Sequence, residues 1–498
     1  MIEAADAVPA PAAAVGAATV FGQPRGIATL FLTEMWERFT YYGMRALLIT
    51  FMAAAVTRGG LGIHDASASA IYGLYLGSTY LLGLAGGWLA DHLLGSQRAV
   101  LSGGFFIMVG NALLALGNTA VFFVGLLVIA MGVGLLKPNV SALVASLYPE
   151  GGARRDAGFS IFYMGINLGA FIGSQLVPWF AHWFGWHWGF ALPAVGMAIG
   201  IAQFRWTRQY LNGAGMPPAA DRRGSWTPVI VLLVIVAAIV VAAVSGMLTI
   251  NPVALSNAAT WAYAALGVGY FVYLIFFAGL STVERRRAWV MVALFAGSVM
   301  FFAGYEQQGA SFNLFADRYT NLHVLGINIP SGVLQAVNPF FVITLAPVLA
   351  AIWIALGKRG LDLPATVKFG LGLIFLGLGF LVMYFASLHV LAGEMVLPTW
   401  LCATYLLHSL GELCLSPVGL SYMSKLAPQR FVGQVMGMWF LSMALGSNIA
   451  GQLSGTYDSS HLESLPALFL RVFWYGAIVG VVMLLLTPWT RRLMAGVK

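Results

Sequence analysis

Two carboxylates, two guanidiniums and two phenols lie close together near the start of the chain: Glu34, Glu37, Arg38, Tyr41, Tyr42 and Arg45. Counted from Glu34, the other five follow at three, four, seven, eight and eleven positions, which places all six on one face of an α-helix. Such groups can pair with opposite charges, exchange protons and donate hydrogen bonds. They sit inside an apolar run over residues 27–56, where Met35, Trp36 and Phe39 cover other faces. A charge at the centre of a bilayer costs about 2.5–3.5 kcal/mol even on a lenient scale. Four on one helix therefore need a water-filled cavity or opposite charges on other helices. One reading is an ion-pair network that only holds helices together. The other is a functional pathway, which is what intramembrane ionisable residues usually mark.

The rest of the chain supplies partners. Glu306 and Glu412 also fall within apolar spans, as does Lys137, so four acids face three cations (Arg38, Arg45 and Lys137). A surplus carboxylate in a low dielectric tends to be neutralised, either by a proton or by a cationic group of a ligand. Lys137 precedes Pro138, and Ser416-Pro417 follows Glu412 by one turn. Each proline can free a carbonyl and bend its helix beside a charge. Asn167 and Asn338 are mid-span amides, which can bond between helices or hold a ligand. Tyr80 taken alone reads as core.

These side chains need a membrane scaffold. Of 498 residues, 60% are hydrophobic and 8% charged, against about 25% charged in a soluble protein. Apolar runs of about 20 residues are centred near positions 42, 80, 108, 132, 168, 198, 236, 270, 300, 343, 376, 408, 442 and 480, fourteen in all. With the N-terminus inside, nineteen of the 25 Lys and Arg fall in cytoplasmic segments, Arg222, Arg223 and Lys498 among them. Three, Arg58, Arg318 and Arg471, fall outside, and three lie within helices. This asymmetry is the positive-inside rule. It accounts for the net charge of +8 without any nucleic-acid partner.

Residues 1–25 read as a disordered tail, Ala- and Pro-rich and without the basic start of a signal peptide. Cys402 and Cys414 are twelve positions apart. On one continuous helix that is about 18 Å, too far for a disulfide. No metal-ligand spacing occurs and no cofactor is expected.

Residues 213–287 read as a linker and an inserted pair of uncharged helices, turning at Thr249-Ile-Asn-Pro252. Without that pair, twelve helices remain as a six-helix bundle over 26–212 and another over 288–498. The halves resemble each other: Phe162-Tyr-Met-Gly-Ile-Asn167-Leu-Gly-Ala-Phe-Ile-Gly173 aligns with Trp439-Phe-Leu-Ser-Met-Ala444-Leu-Gly-Ser-Asn-Ile-Ala450. Internal repeats with a site between them are characteristic of transporters.

The motifs also resemble those of a known family. Glu34-x-x-Glu37-Arg38-Phe-x-Tyr41-Tyr42 is similar to the first-helix signature of the proton-dependent oligopeptide transporters, a branch of the major facilitator superfamily. Phe159-Ser-Ile-Phe-Tyr-Met-Gly-Ile-Asn167-Leu-Gly resembles its fifth-helix signature, and His408-Ser-Leu-Gly-Glu412-Leu-Cys-Leu-Ser416-Pro417 its tenth-helix motif. Gly87-Trp-Leu-Ala-Asp91-His-Leu-Leu-Gly95 resembles the superfamily's loop after helix two. The resemblance spans nearly everything after residue 25. It implies an all-α major facilitator fold with fourteen transmembrane helices, set in the inner membrane with both termini cytoplasmic. It also implies a monomer that imports di- and tripeptides with protons.

Carried over, Arg38 and Lys137 would meet the peptide carboxylate with Asn167 nearby. Glu412 and Asn338 would hold the ammonium. Tyr41, Tyr42, Tyr80, Phe302, Ser416 and Trp439 would line pockets. Glu34 and Glu37 would exchange protons and pair with Lys137, while Arg45 would pair with Glu306 at an outer gate. The chain departs from the family at Gly73, where animal members carry a histidine, at Phe302, where many carry tryptophan, and at Leu84, which replaces a common proline. A proton-coupled drug exporter is the competing expectation. An intramembrane enzyme finds no motif to support it.

Overall fold

The structure, a computed structural model, describes residues 19–20, 22–149, 152–219, 224–361, 363–456 and 462–494. Most of the expected tail (residues 1–18 and 21) lies outside the described residues, as do Arg222, Arg223 and Lys498. The part of the tail next to the first helix is ordered. Thr19–Val20 pairs antiparallel with Gln23–Pro24, and the Tyr148 hydroxyl donates to Gln23 Oε1 at 2.9 Å.

Fourteen helices of at least 18 residues run through the described chain, and each of the fourteen apolar centres falls inside one of them. The first six are α1 (Gly26–Ala53), α2 (Asp65–Leu89), α3 (Ser96–Leu114), α4 (Thr119–Ser146), α5 (Gly152–Phe184) and α6 (Trp186–Thr207). The inserted pair is α7 (Thr227–Val244) and α8 (Pro252–Val272). The last six are α9 (Thr282–Tyr305), α11 (Val337–Lys358), α12 (Ala365–Leu391), α13 (Thr399–Leu426), α14 (Val432–Gly455) and α15 (Ser464–Leu485). Two short helices, α10 (Ser311–Tyr319) and α16 (Thr487–Leu493), complete the set. Local chemistry marks several starts. Asn118 caps α4, Asn251 caps α8 ahead of Pro252, and Ser281 with Glu284 forms a capping box on α9. Cys402 and Cys414 are free thiols on the one helix α13.

The chain forms two six-helix bundles plus two inserted helices. In the first bundle α1 packs on α5 and α6, α3 on α4 and α6, and α2 on α4; in the second, α12 packs on α13 and α15, and α9 on α12 to α15. The aligned glycines of the repeat do the same work in each half. A side chain at Gly169 of α5 would collide with the Met35 carbonyl of α1. One at Gly446 of α14 would lie 2.8 Å from the Val299 carbonyl of α9. Small residues let backbones approach where lipid supplies no hydrophobic drive between helices.

The bundles meet where α2 crosses α14 and α5 meets α11. Gly73 sits at the first crossing, where a Cβ would stand 3.0 Å from Gly451 Cα and 3.1 Å from the Asn448 carbonyl. A histidine has no room there. The inserted pair carries more polar structure than its uncharged sequence implied. Asn448 Nδ2 donates to the Ser256 carbonyl and Thr260 Oγ1, both at 2.7 Å, and Gln452 Nε2 reaches Thr260 Oγ1 at 2.8 Å, which ties α8 to α14. By contrast, α7 buries none of its residues.

Arg98, Arg154, Arg205, Arg285 and Lys425 gather at one end of the bundles, here the basic end. The sequence did not anticipate a break at the far end of α9. The helix stops at Tyr305, tightens into a 3₁₀ turn over Glu306–Gly309, and resumes as α10.

Candidate functional site

The predicted face of α1 turns inward. Glu34 and Glu37 are 1% and 0% exposed, and Arg38 and Arg45 are also buried. Close packing of α5 fixes this register, since a Cβ at Gly169 would lie only 2.9 Å from Arg38 Cβ.

The ionic groups sort into two closed sets and two unpaired members. Arg38 Nε lies 2.7 Å from Glu34 Oε1 and 3.0 Å from Glu37 Oε2. The expected pairing of these carboxylates with Lys137 is not what forms. Glu34 and Arg38 are one helical turn apart, the spacing at which side chains on one helix meet, and Arg38 takes both acids. Arg45 Nη2 lies 2.8 Å from Glu306 Oε2, and Arg45 Nε donates to the Tyr72 hydroxyl at 2.6 Å. The break after Tyr305 makes this possible. A side chain at Gly309 would collide with the Tyr72 hydroxyl and stand 2.7 Å from Arg45 Nε.

Lys137 has no carboxylate within 4.0 Å among the described residues. Its ammonium lies 4.6 Å above the centre of the Tyr80 ring, a cation–π contact. The Tyr80 hydroxyl points to Glu306 Oε1 at 3.4 Å. Lys137 also lies within electrostatic reach of Arg38, Glu37, Glu34 and Glu306. In the other bundle, Glu412 has no cation within 4.0 Å among the described residues. Its Oε2 accepts from the Tyr305 hydroxyl at 2.7 Å and from Asn338 Nδ2 at 3.4 Å. Asn338 is itself held by Ser409 Oγ, 2.9 Å from its Nδ2, and by the Tyr305 hydroxyl, 3.1 Å from its Oδ1.

The other expected residues are distributed unevenly. Tyr41 and Tyr42 meet edge to face at 5.2 Å, and Arg45 Cζ lies 5.7 Å from the Tyr42 ring centre. Asn167 bonds back to the Tyr163 carbonyl at 3.0 Å, and Tyr163 beside it is 40% exposed. Ser416 is half-buried on α13. Phe302 and Trp439 are buried within the second bundle, Phe302 against Phe301 and Tyr305 and Trp439 over Gly419 and Phe369.

Sequence reasoning missed Tyr72, Tyr305 and Ser409, although Tyr305 adjoins Glu306 and Ser409 precedes Glu412 by nearly one turn. It counted Arg318 only among the outside cations and did not single out Asp65. Arg318 instead donates two bonds of 2.7 Å to the two Asp65 oxygens, joining α10 to α2 across the bundles. Asn313 Nδ2 adds a buried bond of 2.9 Å to the Ala46 carbonyl of α1. Among the described residues, the direct polar links between the two bundles lie at Glu306 or beyond it, on the side away from the basic end. No cluster of His, Cys, Asp or Glu able to hold a metal occurs among the described residues.

Comparison with known proteins adds to this geometry. A family described as the POT family matches residues 97–468. The peptide transporter YePEPT of Yersinia enterocolitica subsp. palearctica serotype O:3 (strain YE-P4) is 42% identical, over 96% of this chain and 97% of its own length. A di-/tripeptide transporter of Lactococcus lactis subsp. cremoris is 34% identical, over 96% of this chain and 98% of its own. Among solved structures, a mutant peptide transporter POT in complex with alafosfalin superposes with a TM-score of 0.88 at 40% identity, covering 96% of this chain and 98% of that one.

Proposed function

The chain belongs to the POT family of peptide transporters, and on that premise we propose how its buried charges move a peptide with a proton. The function is proton-coupled uptake of di- and tripeptides. One observation carries the residue assignment: after ion pairing, Lys137 in the first bundle and Glu412 in the second are left without a partner of opposite charge among the described residues. A zwitterionic peptide has a carboxylate for one and an ammonium for the other. Two extended residues span at most ~7 Å and three at most ~11 Å, so both termini can be held only where the bundles face each other.

Arg38 assists at the carboxylate, with Asn167 nearby, and Asn338 assists at the ammonium. Tyr41, Tyr42, Tyr80 and Ser416 contact the peptide backbone and side chains; Phe302 and Trp439 shape the wall from behind. Glu34 and Glu37 share one guanidinium, which leaves a net negative charge beside Lys137. A proton on that pair removes the negative charge that competes with a peptide carboxylate for Lys137. Tyr80 touches Lys137 with its ring and Glu306 with its hydroxyl, so it links the peptide site to the Arg45–Glu306 closure.

The basic end is assigned to the cytoplasm on the positive-inside rule, with both termini inside, and the protein is taken to act as a monomer in the inner membrane. Residues 26–212 and 288–498 are the two rocking units, with 213–287 carried between them. The polar links away from the basic end are then read as the outer seal. Proton entry along the membrane potential adds about 2.3 kcal/mol per charge per 100 mV.

Purified protein in liposomes should accumulate a dipeptide when the outside is acid, and a protonophore should collapse the accumulation. Efflux of a cationic drug without competition by peptide would favour the exporter instead. The closure has its own test. Arg318→Gln removes a bidentate pair that is partly buried, and charged hydrogen bonds of this kind are worth about 1.5–3 kcal/mol. With Cys402 and Cys414 replaced by serine, labelling of Ser311→Cys from outside by an impermeant thiol reagent should rise roughly tenfold. Unchanged labelling would remove Arg318 from the outer seal.

A further inference from the structure

At the basic end, away from the peptide site, a cavity of about 550 Å³ lies between the start of α3, the end of α6 and the chain that follows. Arg98, Arg205 and Arg208 line it with Gln97 and Gln209, and among the described residues no acid is part of its lining. None of the three arginines has a hydrogen bond or ion pair among the described residues. Three exposed guanidiniums around one concavity form a basic patch that attracts anions.

The wall is built rather than loose, although its composition reads as a linker. Gln97 Nε2 donates to the Ala214 carbonyl at 2.6 Å, and the Gln97 amide to the Gly215 carbonyl at 3.1 Å. Leu211 is buried beneath it. The cavity therefore keeps its shape, and Gly213, Met216 and Pro217 line its far side.

We propose that this cavity holds the phosphate headgroup of an anionic phospholipid. Guanidinium forks match phosphate oxygens two at a time. The rim favours a lipid over a free anion. Trp206, next to Arg205, is 83% exposed, and Met216 is also exposed, at the level where α6 leaves the membrane. Tryptophan is enriched at that boundary. The cytoplasmic leaflet carries the anionic lipids that juxtamembrane arginines attract.

The test uses the delipidated full-length protein and native mass spectrometry, with phosphatidylglycerol, phosphatidylcholine, glycerol phosphate and inorganic phosphate titrated separately. Phosphatidylglycerol should be retained over phosphatidylcholine by roughly a hundredfold, since each of the three arginines contributes about fivefold at a membrane surface. Arg205→Gln with Arg208→Gln should cut the preference to about fivefold, the share left to Arg98, while Arg205→Lys with Arg208→Lys should keep much of it. Equal retention of both lipids by the unaltered protein, or an unchanged preference in the double glutamine variant, would overturn the proposal. So would inorganic phosphate or glycerol phosphate binding as tightly as the lipid, which would make this a soluble-anion site. If the double variant fails to fold, Arg98→Gln is read the same way.

Discussion

Replacing Lys137 with alanine is expected to abolish proton-driven dipeptide accumulation, to at least roughly a hundredfold below the unaltered protein. Among the described residues, Lys137 is the intramembrane cation that the ion pairing of Arg38 and Arg45 leaves over. Without it, a bound peptide carboxylate would lie in a low dielectric beside Glu34, Glu37 and only one guanidinium. Removing one partner of a buried charge pair costs about 3–5 kcal/mol, equivalent to a factor of a hundred or more. The substitution also takes away the cation whose release answers the proton. Uptake against a gradient should therefore fail even at saturating peptide. Accumulation at the normal level by this variant in liposomes would refute the role of Lys137.

Glu412→Gln is expected to weaken peptides with a free amino terminus roughly thirtyfold, while N-acetylated peptides bind with nearly unchanged affinity. Glutamine keeps the shape and can still accept from Tyr305 and Asn338, so the local network (2.7 and 3.4 Å) has no reason to collapse. What disappears is the charge facing the ammonium. A hydrogen bond to a charged group is worth about 1.5–3 kcal/mol, and the blocked peptide never made it. Competition binding with matched free and blocked peptides measures the difference. Equal losses for both would take the ammonium role away from Glu412.

Much of the fold is legible because the bilayer imposes a length on every apolar run, and each of the fourteen centres falls inside a helix. The face of α1 is legible for a similar reason. A helical period puts Glu34, Glu37, Arg38 and Arg45 on one side, and that side cannot meet lipid. The partners are less legible. The sequence gives Lys137 two candidate acids, but the nearer guanidinium, one turn along the same helix, takes both.

The Asp65–Arg318 pair joins residues 253 apart in sequence and lies at helix ends, where charge usually means only a solvated loop. The break after Tyr305 depends on Gly309 meeting Tyr72 from another helix, and no local pattern encodes that contact. The bonds from Asn448 and Gln452 to α8 use uncharged amides, which hydropathy alone passes over. Phe302 and Trp439, expected at the pocket, pack on Tyr305 and over Gly419, contacts that no local pattern encodes.

The most direct measurement crosses the two unpaired residues with the two ends of the substrate. A free dipeptide, its N-acetyl form and its C-terminal amide are each titrated against the unaltered protein, Lys137→Ala and Glu412→Gln. Opposite patterns are expected: Lys137→Ala should hurt the free and N-acetyl peptides and spare the amide, whereas Glu412→Gln should hurt the free peptide and the amide and spare the N-acetyl form. If both variants lose affinity equally for all three peptides, Lys137 and Glu412 do not hold the two ends of the zwitterion.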